Sequence, residues 1–181
     1  MRLLDTILEA NRKFVHPGAF PPLPKNPQKQ FAIFTCMDTR LVDFLEPAMG
    51  IRRGDAKVIK NAGNTLVDAL HGGVIRSLVA AIFLLGVEEV FVIGHLDCGM
   101  SSVDAEELKV RMVARGIDPQ VIDDYVPDLA RWIGAFGCPE ENVAKVVGKI
   151  RRNPLIPRDV PIHGLLFSPT DGHLEVISSG Y

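Results

Sequence analysis

Three residues with metal-binding side chains follow two short apolar segments. Cys36 comes soon after the segment 31–34 (FAIF), and His95 and Cys98 come soon after the segment 90–93 (VFVI). Both segments are rich in β-branched or aromatic residues, which predicts two buried parallel strands. Ligands bind where the carboxyl ends of such strands meet, so we expect the three side chains to converge. Two thiolates and one imidazole form a zinc ligand set, and three protein ligands leave a fourth position for chemistry.

Asp38 and Arg40 lie directly beyond Cys36 and place a carboxylate and a guanidinium near the same point. Side chains two residues apart beyond a strand can point the same way, so Arg40 could hold Asp38 in a bidentate ion pair. Asp38 would then accept a hydrogen bond from a water molecule at the metal, or bind the metal itself. The alternatives without a function are a buried ion pair at a turn and, for the cysteines, inert core thiols.

The composition is that of a globular chain. It has 181 residues, of which 47% are hydrophobic and 23% charged, and its net charge is −2. These values favour a single domain over 1–181, and the absence of a basic patch argues against a nucleic-acid partner. The longest apolar stretch, 78–85, is too short to span a membrane. Three cysteines do not suggest a disulfide framework, and the N-terminus has no secretory pattern, so we expect a cytoplasmic location.

The first 27 residues predict a helix on an extended arm. Residues 2–14 place apolar side chains near one helical face. Five prolines between positions 17 and 27 exclude a helix there and favour extended backbone. A helix on such an arm cannot easily fold back on its own core, so we expect it to pack on a neighbouring subunit. A surface hairpin on its own domain is the alternative.

The remaining chain alternates between strand and helix patterns. We predict strands at 31–36, 57–60, 90–94 and 160–167, an edge strand at 174–177, and helices at 41–49, 68–85, 101–115, 118–135 and 139–152. This alternation predicts an α/β fold with a central, mostly parallel sheet of four to five strands flanked by helices. A dinucleotide-binding domain is a weak alternative, because no G-x-G-x-x-G motif follows the first strand.

Three blocks of sequence resemble the β-class carbonic anhydrases, in particular their short, archaeal-like branch. The blocks are 36–40 (CMDTR), 60–64 (KNAGN) and 94–100 (GHLDCGM), and the resemblance spans about residues 28–180. It implies one Zn²⁺ per subunit on Cys36, His95 and Cys98. It also implies the reversible hydration of carbon dioxide to bicarbonate and a proton, with Asp38 and Arg40 as a catalytic dyad.

The resemblance has further implications for assembly and substrate. It implies a homodimer, or a multiple of dimers, whose N-terminal helix reaches over the partner. It places substrate-binding positions at Gly99, Ala62 and Lys57. Pro27 and Lys57 stand where the plant-type branch has glutamine and phenylalanine, so the pocket differs from that branch. Two other functions stay open: hydrolysis of carbon disulfide or carbonyl sulfide on the same zinc site, and a non-catalytic zinc module.

Overall fold

The chain forms one five-stranded sheet with helices around it, and the computed structural model describes residues 2–16, 18 and 20–181. The strands are β1 Phe31–Cys36, β2 Ala56–Asn61, β3 Glu89–His95, β4 Ile162–Phe167 and β5 Leu174–Ser178. The helices are α1 Leu3–Phe14, α2 Leu45–Ala48, α3 Gly73–Leu85, α4 Ala105–Ala114, α5 Pro119–Tyr125, α6 Leu129–Ile133 and α7 Pro139–Arg152.

The strand order is β2-β1-β3-β4-β5, with the first four strands parallel and β5 antiparallel to β4. The predicted α/β fold class is therefore confirmed. Cys36 pairs with Asn61 of β2, and Thr35 pairs with Ile93 of β3. This register brings the ends of β1 and β3 to one edge of the sheet, which is where the two candidate ligand segments begin.

Burial explains why the central strands are almost wholly apolar. β1 and β3 are covered on both faces, as is usual for parallel strands between helices. Helix α7 begins at Pro139 as predicted, because a proline at the first helical position loses no intrahelical hydrogen bond. Its buried apolar side chains pack with those of α3 in one core cluster; those of α7 are Val143, Val146, Val147 and Ile150.

Two predicted helices are shorter than expected at their amino ends, because aspartate side chains shape the turns before them. The helix expected over 68–85 begins at Gly73, since Asp68 accepts hydrogen bonds from the backbone of Leu70 and His71 and forms a turn. The helix expected over 101–115 begins at Ala105, where Asp104 accepts from the backbone as its N-cap.

Two other helix predictions were wrong in extent. The helix expected over 118–135 is two helices, α5 and α6, because Pro127 cannot continue α5 and Asp128 caps the start of α6. Of the helix expected over 41–49, only Leu45–Ala48 is an α-helix, and a short 3₁₀ turn, Thr39–Leu41, precedes it.

The N-terminal helix α1 is confirmed, and it has no buried residue. Its apolar face is exposed, with Leu3 at 75% and Ile7 at 55% of their accessible surface. Of the predicted proline arm, Pro17 lies outside the described residues, as does Met1 at the start of the chain. Among the described residues, no helix combines the length and apolarity needed to cross a membrane.

Candidate metal centre

Cys36, His95 and Cys98 form a compact, buried group at the carboxyl edge of the sheet. Their ligand atoms all lie within 4.8 Å of one another, and the two sulfurs are 3.9 Å apart. Cys36 ends β1, His95 ends β3, and Cys98 follows in the turn after β3. The structure therefore brings together the three side chains that the sequence singled out as metal ligands.

The orientation of His95 tests whether this group suits a metal. Its Nδ1 lies 2.9 Å from the carbonyl oxygen of Leu96, which can only accept, so Nδ1 carries the proton and donates. In the neutral ring Nε2 is then a lone-pair acceptor, and it is buried without a hydrogen-bond partner among the described residues. A buried acceptor beside two thiols, held by a backbone carbonyl on the other ring nitrogen, is the arrangement of a metal-binding histidine. The group fits Zn²⁺, which takes thiolate and imidazole ligands.

The two cysteines differ in their tendency to ionise. The hydrogen bond from Cys98 lowers the pKa of Cys36, His95 and the backbone lower it further, and burial opposes these effects. The same hydrogen bond, together with burial, raises the pKa of Cys98. The site thus favours a thiolate at Cys36, and thiolates are the form in which cysteine binds metal.

Arg40 holds the carboxylate of Asp38 beside the metal-binding group. Its Nε donates to Asp38 Oδ1 at 3.0 Å and its Nη2 to Oδ2 at 2.9 Å, which is the bidentate pair expected from the sequence. These hydrogen bonds lower the pKa of Asp38 to about 2, so it is a carboxylate at neutral pH. Asp38 Oδ2 lies 3.8 Å from His95 Nε2, at the edge of the group.

Asp97 is a second partner of Arg40, one that was not predicted from the sequence. Arg40 Nη1 donates to Asp97 Oδ2 at 2.7 Å, and Nη2 donates to the Asp97 carbonyl oxygen at 2.7 Å. Asp97 has a positive φ of 53°, which aspartate tolerates better than most residues. Its place between His95 and Cys98 was visible in the sequence, but a carboxylate at that spacing is too common to identify a partner.

The loop after β2 closes the group from the side of Cys36. Its 3₁₀ turn, Ala62–Asn64, places the N–H of Gly63 3.3 Å from Cys36 Sγ, to which it donates. On the other side of the loop, Asn142 of α7 donates to the carbonyl oxygen of Gly63 at 3.2 Å. The small residues of the 60–64 block thus let the backbone approach the thiolate.

Gly63 is the position in this loop that tolerates a side chain least. Its φ of +67° favours glycine, and an added Cβ would lie 2.6 Å from Met100 Cβ and 2.9 Å from Phe136 Cε1. We expect Gly63→Ala to destabilise the protein by about 2 kcal/mol or more, from backbone strain and crowding together. Urea unfolding measures the loss. Gly137→Ala is the control, because no heavy atom lies within 4 Å of its added Cβ; equal stability of the two variants would contradict this reading.

A cavity of about 420 Å³ opens onto the metal-binding group, and we call it the metal-site cavity. It is lined by residues 36–40, Ala62, Gly63 and 98–100. It therefore brings Ala62 and Gly99, two of the predicted substrate-binding positions, together with Asp38 and Arg40. Its wall also contains two methionines, Met37 and Met100, which could not be predicted because methionine carries no motif of its own.

Lys57, the third predicted substrate-binding position, does not line the metal-site cavity. It lies near the start of β2, opposite Ala32 and four residues before Asn61. Its Nζ donates to the carbonyl oxygen of Lys25 at 2.5 Å. Because β2 runs toward the cavity and Lys57 is at its far end, the described chain does not bring this ammonium to the metal-binding group.

Comparisons of the sequence and of the structure with known proteins point to the same family. A family model described as carbonic anhydrase matches residues 31–174. The chain is 40% identical to a putative carbonic anhydrase, YvdA, of Bacillus subtilis over 98% of this chain and 92% of that protein. It is 32% identical to a carbon disulfide hydrolase of Acidithiobacillus thiooxidans over 84% of this chain and 78% of that protein. The solved structure of β-carbonic anhydrase isoform I from Trichomonas vaginalis is 42% identical and superposes with a TM-score of 0.95, each chain being covered completely.

Proposed function

The chain belongs to the β-carbonic anhydrase family, and from this premise we propose that it catalyses the reversible hydration of carbon dioxide to bicarbonate and a proton. Its cofactor is Zn²⁺, for which we assign Cys36, His95 and Cys98 as ligands, one ion per chain. The observation that carries the proposal is the carboxylate of Asp38, paired with Arg40 at the edge of a three-ligand group that faces a cavity. A purely structural zinc site takes four protein ligands and needs no such carboxylate.

Each residue of the site has a separate task in this proposal. Held by these three ligands, zinc would lower the pKa of a water molecule and so supply the nucleophile. Asp38 accepts a hydrogen bond from that nucleophile and so directs a lone pair toward the substrate carbon. Arg40 positions Asp38 through its two hydrogen bonds and keeps it ionised. Gly99 and Ala62 form part of the cavity wall, where small residues leave room for a linear substrate.

Stopped-flow measurement of carbon dioxide hydration, paired with zinc analysis, tests this function. We expect one zinc per chain and hydration well above the buffer rate at neutral and mildly alkaline pH. Protein that is fully loaded with zinc but hydrates carbon dioxide no faster than buffer would contradict the proposal and favour a non-catalytic zinc module.

Hydrolysis of carbon disulfide or carbonyl sulfide is the second candidate. Two observations favour it: a relative described as a carbon disulfide hydrolase, at 32% identity, and two methionines in the wall of the metal-site cavity. Carbon disulfide is linear and apolar, so a thioether-lined wall suits it. Release of hydrogen sulfide from carbon disulfide, measured beside carbon dioxide hydration on one preparation, separates the two reactions. We expect hydration to have the larger kcat/KM.

We further propose that the chain acts as a single domain that forms homodimers, or multiples of dimers, in the cytoplasm. The support for self-association is α1, whose apolar face is exposed in the single chain. An apolar helix face of this kind is buried against another surface in stable proteins. The cytoplasmic location is supported by the ligand set, since Cys36 and Cys98 must stay reduced to bind zinc.

The variant Ile7→Asp tests the role of α1. Each copy would lose about 1.5–3 kcal/mol of apolar burial, and the loss occurs twice in a symmetric dimer. We therefore expect the dimer dissociation constant to rise by about 100-fold or more, measured by sedimentation velocity over a range of concentrations. Thr6→Asp is the matched control, since Thr6 lies on the polar side of the same helix. Equal dissociation constants for the two variants would remove α1 from the interface.

A further inference from the structure

A second cavity, which we call the cationic cavity, lies beside the 61–65 loop between α6 and α7. Its volume is about 380 Å³. Three positively charged side chains line it, Arg131 from α6 and Lys145 and Lys149 from α7. None of its lining residues is an aspartate or a glutamate within the part of the chain that the structure describes. A concave surface with three cations and no carboxylate is unusual in a chain whose net charge is −2.

The charges of the cationic cavity are not compensated by neighbours. Neither lysine, nor Arg131, forms an ion pair with any residue in 2–16, 18 or 20–181. Lys145 and Lys149 are one helical turn apart on α7, a spacing at which like charges destabilise a helix. Burial lowers the pKa of Lys149, and the charges of Lys145 and Arg131 lower it further. The fold therefore keeps a repulsive cluster that its own side chains do not neutralise.

The wall of the cationic cavity contains free donors, polar side chains and an aromatic ring. Lys149 Nζ donates to the carbonyl oxygen of Leu66 at 2.5 Å, which leaves two of its three N–H donors without a partner among the described residues. The side chains of Thr65 and Asn142, both more than nine-tenths buried, also line the cavity. An aromatic ring, Phe136, lies in the same wall. This wall offers charged donors, polar groups and an apolar surface.

We propose that the cationic cavity binds a phosphate group, either free or as a small phosphate monoester. A phosphate carries close to two negative charges near neutral pH and accepts several charge-assisted hydrogen bonds, which matches three cations without a carboxylate. Arginine and lysine are the residues that recognise phosphate, Arg131 as a planar fork and the lysines as point charges. The cavity is separate from the metal-site cavity, with which it shares no lining residue.

Isothermal titration calorimetry on the full zinc-loaded chain tests the proposal. Inorganic phosphate and ribose 5-phosphate are the two probes, titrated at constant ionic strength set with sodium chloride. We expect one saturable site per chain for at least one probe. Tighter binding of ribose 5-phosphate identifies a monoester site, and equal binding identifies a site for the phosphate group alone; both outcomes support the proposal.

Variants that each remove one positive charge determine where the anion binds. Lys149→Gln and Lys145→Gln should each weaken binding by about tenfold, the usual effect of losing one charge-assisted hydrogen bond. Lys145 has no side-chain hydrogen bond among the described residues, so its variant guards against a folding defect in the other. Arg115→Gln, at the exposed end of α4, is the control that removes one positive charge elsewhere and should leave binding unchanged.

Three results would overturn the proposal. The first is no saturable binding of either probe, which would indicate that an acidic side chain of another protein or of a second copy fills the cavity. The second is binding that neither lysine variant weakens. The third is binding that disappears when zinc is removed from protein that stays folded, which would place the anion at the metal centre. All three readouts are independent of turnover, so they do not depend on the proposed reaction.

Discussion

Replacing Cys98 with serine removes zinc from the purified protein and lowers carbon dioxide hydration by about 10³-fold or more. The binding free energy of zinc at structural sites is about 10–16 kcal/mol. Divided among the ligands, this gives about 3 kcal/mol for each, so the loss of one ligand lowers zinc affinity by about 100-fold. Serine is close to cysteine in size but has a neutral hydroxyl in place of the thiolate, and a hydroxyl is not one of the usual zinc ligands. Because the nucleophile depends on the metal, turnover falls with zinc content. Zinc analysis after dialysis and stopped-flow hydration measure the two effects.

The third cysteine provides a matched control for this variant. Cys138 is half-buried at the N-cap of α7, and its Sγ donates to Glu140 Oε2 at 2.9 Å, outside the metal-binding group. Cys138→Ser makes the same chemical change and should retain full zinc and near-normal hydration. If Cys98→Ser retained one zinc per chain and full activity, Cys98 would not be a ligand.

Asp38→Asn lowers kcat for carbon dioxide hydration by about 10²–10⁴-fold and leaves one zinc per chain. That range is the usual contribution of a positioned side chain that accepts a proton or hydrogen bond in the reaction. The amide is nearly isosteric with the carboxylate but carries no charge, and the hydrogen bonds from Arg40 hold Asp38 as a carboxylate with a pKa of about 2. The variant therefore removes an ionised acceptor without opening a cavity. Stopped-flow kinetics and zinc analysis on the same sample measure both quantities.

The variant Asp97→Asn is the control that separates the loss of the Asp38 carboxylate from a general disturbance of Arg40. Asp97 also accepts from Arg40, at 2.7 Å, but its side chain is 87% exposed and does not line the metal-site cavity. Asparagine tolerates the positive φ at this position. We expect less than about a threefold loss of kcat, as befits an exposed ion pair. Equal losses in the two aspartate variants would assign the effect to Arg40 and not to Asp38.

The sheet and the metal-binding group could be predicted because both are encoded in short apolar segments. The runs around Ile33 and Val92 are buried on both faces, so their composition alone indicates parallel strands. The residues that follow them must then meet at one edge, which is how Cys36 and His95 come together. Helix α7 was predictable for a related reason, since Pro139 and the apolar spacing agree on its start and its buried face.

The remaining features depend either on local side-chain hydrogen bonds or on contacts between distant parts of the chain. The starts of α3 and α4 depend on aspartate side chains that accept hydrogen bonds from nearby backbone, and apolar periodicity does not show them. Asp97 meets Arg40 only because the turns after β1 and β3 are neighbours. The cationic cavity is lined by Arg131 and by two lysines of another helix, and in the sequence each of these residues is indistinguishable from a solvent-exposed charge. Lys57 does not line the metal-site cavity of the described chain, because an aligned position in the sequence does not fix where a side chain lies.

Zinc K-edge X-ray absorption on the purified, metal-analysed protein tests the central claim most directly. The proposed metal centre has one zinc per chain, with two sulfur ligands at about 2.3 Å and at least one imidazole nitrogen at about 2.0–2.1 Å. In Cys98→Ser it loses one sulfur from that shell, or the metal itself. A protein without zinc, or a zinc shell made only of nitrogen and oxygen, would contradict it.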